Sequence, residues 1–140
     1  MRIIRGVLII LFVMLASMTV VAAPVDSSFK HTWVFQATSM TPSASLDGTL
    51  EVRIDSDTFV AGVITLGKKK LPFRGRHLGP RLALRTDEGF SPVLRLDANA
   101  DSAFHSMTGV LTSSKVHATD ARHHSQDFTN VLFDLYAVRK

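Results

Sequence analysis

Residues Leu71 to Arg85 read Leu-Pro-Phe-Arg-Gly-Arg-His-Leu-Gly-Pro-Arg-Leu-Ala-Leu-Arg, with arginines alternating with apolar residues. On extended backbone, successive side chains point to opposite faces. Arg74 and Arg76 therefore share one face, Arg81 and Arg85 share one face, and Arg95 lies on the following extended stretch. Guanidinium groups are planar forks of donors that match carboxylate and phosphate oxygens, so the chemistry of such a set is anion capture. Arg74, Arg76, Arg81, Arg85 and Arg95 form a candidate face for an acidic protein or an anionic envelope component. The plainer reading is the wet side of a sheet, where long charged side chains cover apolar surface and guard against aggregation. Nucleic acid is not favoured, because Phe73 and Phe90 are the only nearby stacking partners.

A second group lies between Thr112 and Asp127, where three of the six histidines fall. His117, Asp120 and His124 would share a face in a helical turn and offer nitrogen and oxygen ligands to zinc or copper. They are weak metal candidates, since the spacing matches no specific motif and Arg122 would sit beside the cation. The segment reads as a plain surface loop, with a lid over one barrel mouth or a docking element as the functional alternatives. Its histidines would make such a loop sensitive to pH.

Catalytic motifs are missing: no Gly-x-Ser-x-Gly elbow, no His-Glu-x-x-His, no phosphate-cradling glycine loop and no cysteine occur. Asp55 and Asp57 flank a turn, where aspartate is favoured for local hydrogen bonding. The reading is a non-enzyme without a cofactor.

The elements that must carry these residues follow from turn spacing. Turn-forming clusters fall at Asp55-Ser56-Asp57, Gly67-Lys68-Lys69, His77-Leu78-Gly79-Pro80, Asp87-Glu88-Gly89 and Asn99-Ala100-Asp101. That rhythm, with alternation between the turns, predicts an all-β domain. Eight strands are expected, near residues 30–38, 46–55, 58–66, 70–77, 80–86, 91–98, 103–112 and 129–139. Gly48, Gly62 and Gly109 recur inside strands, which points to bends or close backbone approach, as at barrel corners. Eight short strands with tight turns favour closure, which removes exposed edges. The expected architecture is an eight-stranded antiparallel up-and-down β-barrel, with a two-sheet β-sandwich as the alternative. Inward candidates are Trp33, Phe35, Leu50, Val52, Val63, Leu82, Leu84 and Phe133. The last strand, Val131 to Val138, is apolar on nearly both faces. It therefore needs cover from a second copy of the chain, the histidine segment or the N-terminal segment.

Residues 1–22 have the basic start, apolar run and small-residue end of a signal peptide. The expected organisation is signal peptide 1–22, N-terminal extension 23–29 and one barrel domain 30–140, periplasmic or secreted. Losing Arg2 and Arg5 leaves 14 of the 16 Lys and Arg side chains against 12 acidic ones, a net of +2. The absence of cysteine leaves the core alone to hold the domain.

With strands and termini placed, the chain resembles the calycin group of lipocalins, fatty-acid-binding proteins and avidins. Lipocalins carry Gly-x-Trp in the first strand and an arginine near the end of the last that covers the tryptophan. Here the corresponding residues are His31-Thr32-Trp33 and Arg139 in Tyr136-Ala137-Val138-Arg139. The resemblance implies a carrier or sequestering barrel for a small apolar or amphipathic ligand, held by Trp33, Phe35, Leu50, Val52, Leu82, Leu84 and Phe133. The alternative is a protein-interaction module, such as an inhibitor of a secreted hydrolase, docking through its basic face or long loop.

Overall fold

Alternating apolar and polar residues make one face of each strand insoluble, and closing the sheet on itself buries that face without leaving an edge. The computed structural model describes residues 29–140. The segment expected to be a signal peptide and most of the expected N-terminal extension lie outside the described residues.

The strands are β1 (Thr32–Met40), β2 (Ser43–Asp55), β3 (Phe59–Leu66), β4 (Lys69–Leu78), β5 (Arg81–Thr86), β6 (Leu94–Ala100), β7 (Ser106–Thr119) and β8 (Ser125–Arg139). They follow one another round a closed barrel in sequence order. All neighbours are antiparallel, and β1 meets β8 from Trp33 opposite Arg139 to Thr38 opposite Asp134. The up-and-down barrel is therefore the fold, and the sandwich alternative is set aside.

Glycine lets the strands bend. A β-carbon added at Gly62 would lie 1.9 Å from the Glu51 carbonyl oxygen, and one at Gly109 would lie 2.2 Å from the Asp97 carbonyl oxygen. Only a residue without a side chain permits that backbone approach.

Four sequence expectations need correction. The segment 112–127 is not a loop: β7 continues to Thr119 and β8 starts at Ser125, paired from Lys115 opposite Thr129 to Thr119 opposite Ser125. Its serines, threonines and valine carry little hydrophobic signal, yet the ladder pairs them into an arm with a turn at residues 120–124. Val63 faces outward, opposite Glu51, while Gly62 and Ile64 take the inward positions. Phe29 belongs to the core and not to an extension, since it is fully buried. Finally, β2 starts at Ser43, three residues earlier than its alternation suggests.

The arm packs against the barrel. Past Ser113 the inward face of β7 switches parity: Met107, Leu111 and Ser113 are buried, and then Val116. Asn130 opposite this point adopts a left-handed φ of 52°. Val116 joins the core, with Ala118, Phe128, Ala44 and Leu46 packed on its margin. The arm and the β1–β2 hairpin thus close the end of the barrel where β1 finishes.

Candidate functional site: a basic outer wall

Register decides what the arginines do. Arg74 lies directly opposite Arg85 across β4 and β5, and Arg85 lies directly opposite Arg95 across β5 and β6. Thr112 continues the row on β7. Side chains opposed in this way have β-carbons about 5 Å apart, so like charges here are destabilising. Counter-charge within the fold relieves the strain only in part. Arg85 pairs with Glu88 on the following turn. Neither Arg74 nor Arg95 forms an ion pair among the described residues.

The flanking arginines are tied down. Arg81 makes a two-pronged contact with Asp97, Nε donating to Oδ1 at 3.1 Å and a terminal nitrogen to Oδ2 at 2.7 Å. That hydrogen bonding holds the Asp97 carboxyl below its ordinary range and pushes the Arg81 guanidinium up. Arg76 lies over the Phe59 ring, 4.9 Å from its centroid, a cation–π contact between opposed residues of β3 and β4. All five arginines predicted for an anionic-partner face are therefore on one wall, in two classes. Arg76 and Arg81 are positioned by neighbours, and Arg74, Arg85 and Arg95 stand as a row.

An open groove of about 1050 Å³ runs over β4 to β7, lined by all five arginines with Ala83, Asp97, Asn99, Val110 and Thr112. Ala83 sits between Arg76 and Asp97 in its row, and its small side chain keeps the middle of the groove low. A second hollow of about 580 Å³ continues past Arg85, Arg95 and Thr112 to Ser114 and Asn130.

The interior is different. Trp33, Phe35, Leu50, Val52, Leu82, Leu84 and Phe133 are all buried, and they pack in one apolar cluster. The space left among Phe35, Leu50, Ile64, Leu96, Met107, Leu111, Leu135 and Ala137 is about 10 Å³, at most the room of one water molecule. Trp33 donates its indole hydrogen to the Phe29 carbonyl at 3.3 Å, and Phe29 covers that end of the barrel. Arg139 stands opposite Trp33 in the ladder.

The histidine residues of the arm do not converge. His117 faces Asp127 across the ladder, with Nδ1 2.9 Å from Oδ1. Asp120 Oδ1 accepts the backbone N–H groups of Arg122 and His124, which builds the turn. Among the described residues no group of three His, Cys, Asp or Glu is placed to hold an ion. The outer face of β8 carries exposed Leu132, Tyr136 and Val138 beside Val34 of β1, and neither the arm nor Phe29 covers it.

Sequence reasoning missed Phe29 and the pair formed by Asp55 and His77. A bulge between Val52 and Ile54 reverses the facing of the end of β2, leaving Ile54 exposed and the Asp55 side chain fully buried. No alternation signal announces such a switch. A scan of protein-family models gives no match to this chain, and a search of curated proteins finds no relative of it.

Proposed function

We propose that this chain is a non-catalytic binding barrel that takes an acidic protein surface, such as the cleft rim of a secreted hydrolase, on the outer wall of β4 to β6. The observation that carries the reading is the row Arg74, Arg85 and Arg95, three directly opposed cations of which two have no ion pair among the described residues. An incoming carboxylate removes their mutual repulsion, so binding and folding pull in the same direction. Arg76 stacked on exposed Phe59 is also the pairing of residue types, arginine and aromatic, that interface centres favour.

Kinship with the calycins is supported by the closed meander and by Trp33 standing opposite Arg139. The carrier function that this kinship suggests finds little room in an interior with about 10 Å³ free. Export fits the reading, since residues 1–22 have the make-up of a signal peptide and a secreted partner would be met outside the cytoplasm.

The test is binding of the purified protein to a panel of secreted hydrolases with acidic clefts and to poly-glutamate, at low and at moderate salt. Binding is expected to weaken as salt rises. The triple variant Arg74→Glu, Arg85→Glu, Arg95→Glu should lose about tenfold or more, the scale of one or two displaced charge contacts. Equal binding by the triple variant sinks the proposal. Binding confined to anionic lipid vesicles moves it to a different partner class.

A further inference from the structure

Opposite the arm, where β1 begins, a crevice of about 450 Å³ opens between the β4–β5 and β6–β7 connections. Its walls are Phe29, His77, Pro80, Asp101, Ser102 and Phe104, and no lysine or arginine lines it. The volume lies within the usual range of small-molecule clefts.

Two aromatic rings build the apolar side. Phe29 and Phe104 meet edge to face at 5.1 Å, and Phe29 meets the His77 ring at 5.6 Å. Phe104 holds a φ of 53°, a left-handed conformation that a bulky residue rarely adopts. Asp101 fixes it there: the Phe104 N–H donates to the Asp101 carbonyl at 3.1 Å, and Asp101 Oδ1 accepts the His105 N–H at 2.8 Å.

The polar side is negative. Asp101 Oδ2 accepts the Ser106 hydroxyl at 3.2 Å, and these bonds, led by that from His105, hold the Asp101 carboxyl below its ordinary range. An ionised carboxylate has about four acceptor positions, so Asp101 keeps capacity for further donors. His77 lies in front of a second carboxylate. Its Nε2 sits between the Ser56 carbonyl oxygen at 2.8 Å, which can only accept, and Asp55 Oδ1 at 2.7 Å. Both Asp55 oxygens are buried without a hydrogen-bond donor. Asp101 makes the crevice negative.

We propose that this crevice binds a small arylalkyl primary ammonium compound, its cationic head on Asp101 and His77 and its ring against Phe29 and Phe104. An ammonium supplies the donors that Asp101 can still accept, and aromatic walls favour a cation bearing a ring. With Nε2 donating to the Ser56 carbonyl, His77 Nδ1, which has no partner among the described residues, offers a further acceptor.

Phenethylammonium chloride titrated into the ¹⁵N-labelled protein tests this, with sodium benzoate as the probe of equal ring and opposite charge. Saturable shifts are expected at the amides of residues 77–79 and 101–105 with phenethylammonium alone. Asp101→Asn, which keeps an acceptor for His105, should weaken binding by about tenfold or more. His77→Gln is the second variant should Asp101→Asn fail to fold, and it should weaken binding as well. No localised shift at millimolar phenethylammonium, equal binding of benzoate, or unchanged affinity in the folded variant overturns the site.

Discussion

Gly62 and Gly89 make a matched pair of tests at the residue scale. A β-carbon at Gly62 would press into the Glu51 carbonyl, whereas nothing lies within 4 Å of one at Gly89. Overpacking a tight contact with backbone costs about 1–3 kcal/mol and can exceed that. Urea denaturation should therefore show Gly62→Ala destabilised by about 2 kcal/mol or more, with Gly89→Ala near wild type. Equal midpoints for the two variants would mean that the bend at Gly62 is not needed. The Asp55–His77 pair gives a second test, because removing one partner of a buried pair leaves the other uncompensated. His77→Ala should cost about 3 kcal/mol, and adding Asp55→Asn should restore part of that loss. If the double variant is no more stable than His77→Ala alone, the buried carboxylate is not the source of the cost. Neither residue announced this role in the sequence. His77 read as part of a turn, and Asp55 as a turn aspartate, because the bulge that turns the carboxylate inward leaves no trace in the alternation.

The elements were most legible where alternation is unbroken. Leu50 and Val52, Leu82 and Leu84, and Phe133 and Leu135 each mark an inward face that the barrel buries. The five arginines followed from the same parity. Legibility failed where parity changes or the apolar signal thins, at the bulge in β2 and along the arm of β7 and β8. There, serine, threonine and histidine hide a ladder that only pairing reveals. The arm also carries a pH-dependent contact. Asp127 accepts from His117 Nδ1 at 2.9 Å and meets Lys115 Nζ at 3.3 Å, and these partners, His117 first, hold its carboxyl below the ordinary range. A depressed folded-state value means that the stabilisation is present above the unfolded value, about 4. It is lost as pH falls through the folded one. The site is exposed, so the effect is local and small. Amide protection at residues 115–119 and 125–129 should fall on acidification before that of the barrel strands. Asp127→Asn should reduce the same protection near neutral pH. Unchanged protection in that variant would show that the arm stands by its apolar face alone.

At the scale of the whole molecule, an eight-stranded barrel has an interior that side chains can just fill or that can hold one small ligand. Which of the two obtains depends on residue volumes. Trp33, Phe73 and Phe133 are among the largest fully buried side chains, and the glycines at 48, 62 and 109 let the strands close tightly round them. Carriage of an apolar molecule would then need the core to open, at a cost on the scale of the barrel's own stability. Phe133→Ala should destabilise the barrel by about 3–5 kcal/mol and leave an apolar cavity. Benzene should then raise the melting temperature of the variant by mass action and leave that of the wild type unchanged. Trp33, which is fully buried in the same core, reports entry directly through its fluorescence. If an uncharged dye such as diphenylhexatriene shifts Trp33 emission in the wild type, the interior opens to ligands, and the basic wall loses its standing as the main binding surface. If only the cavity variant responds, the barrel is a filled scaffold, and its partners are to be sought on the outside.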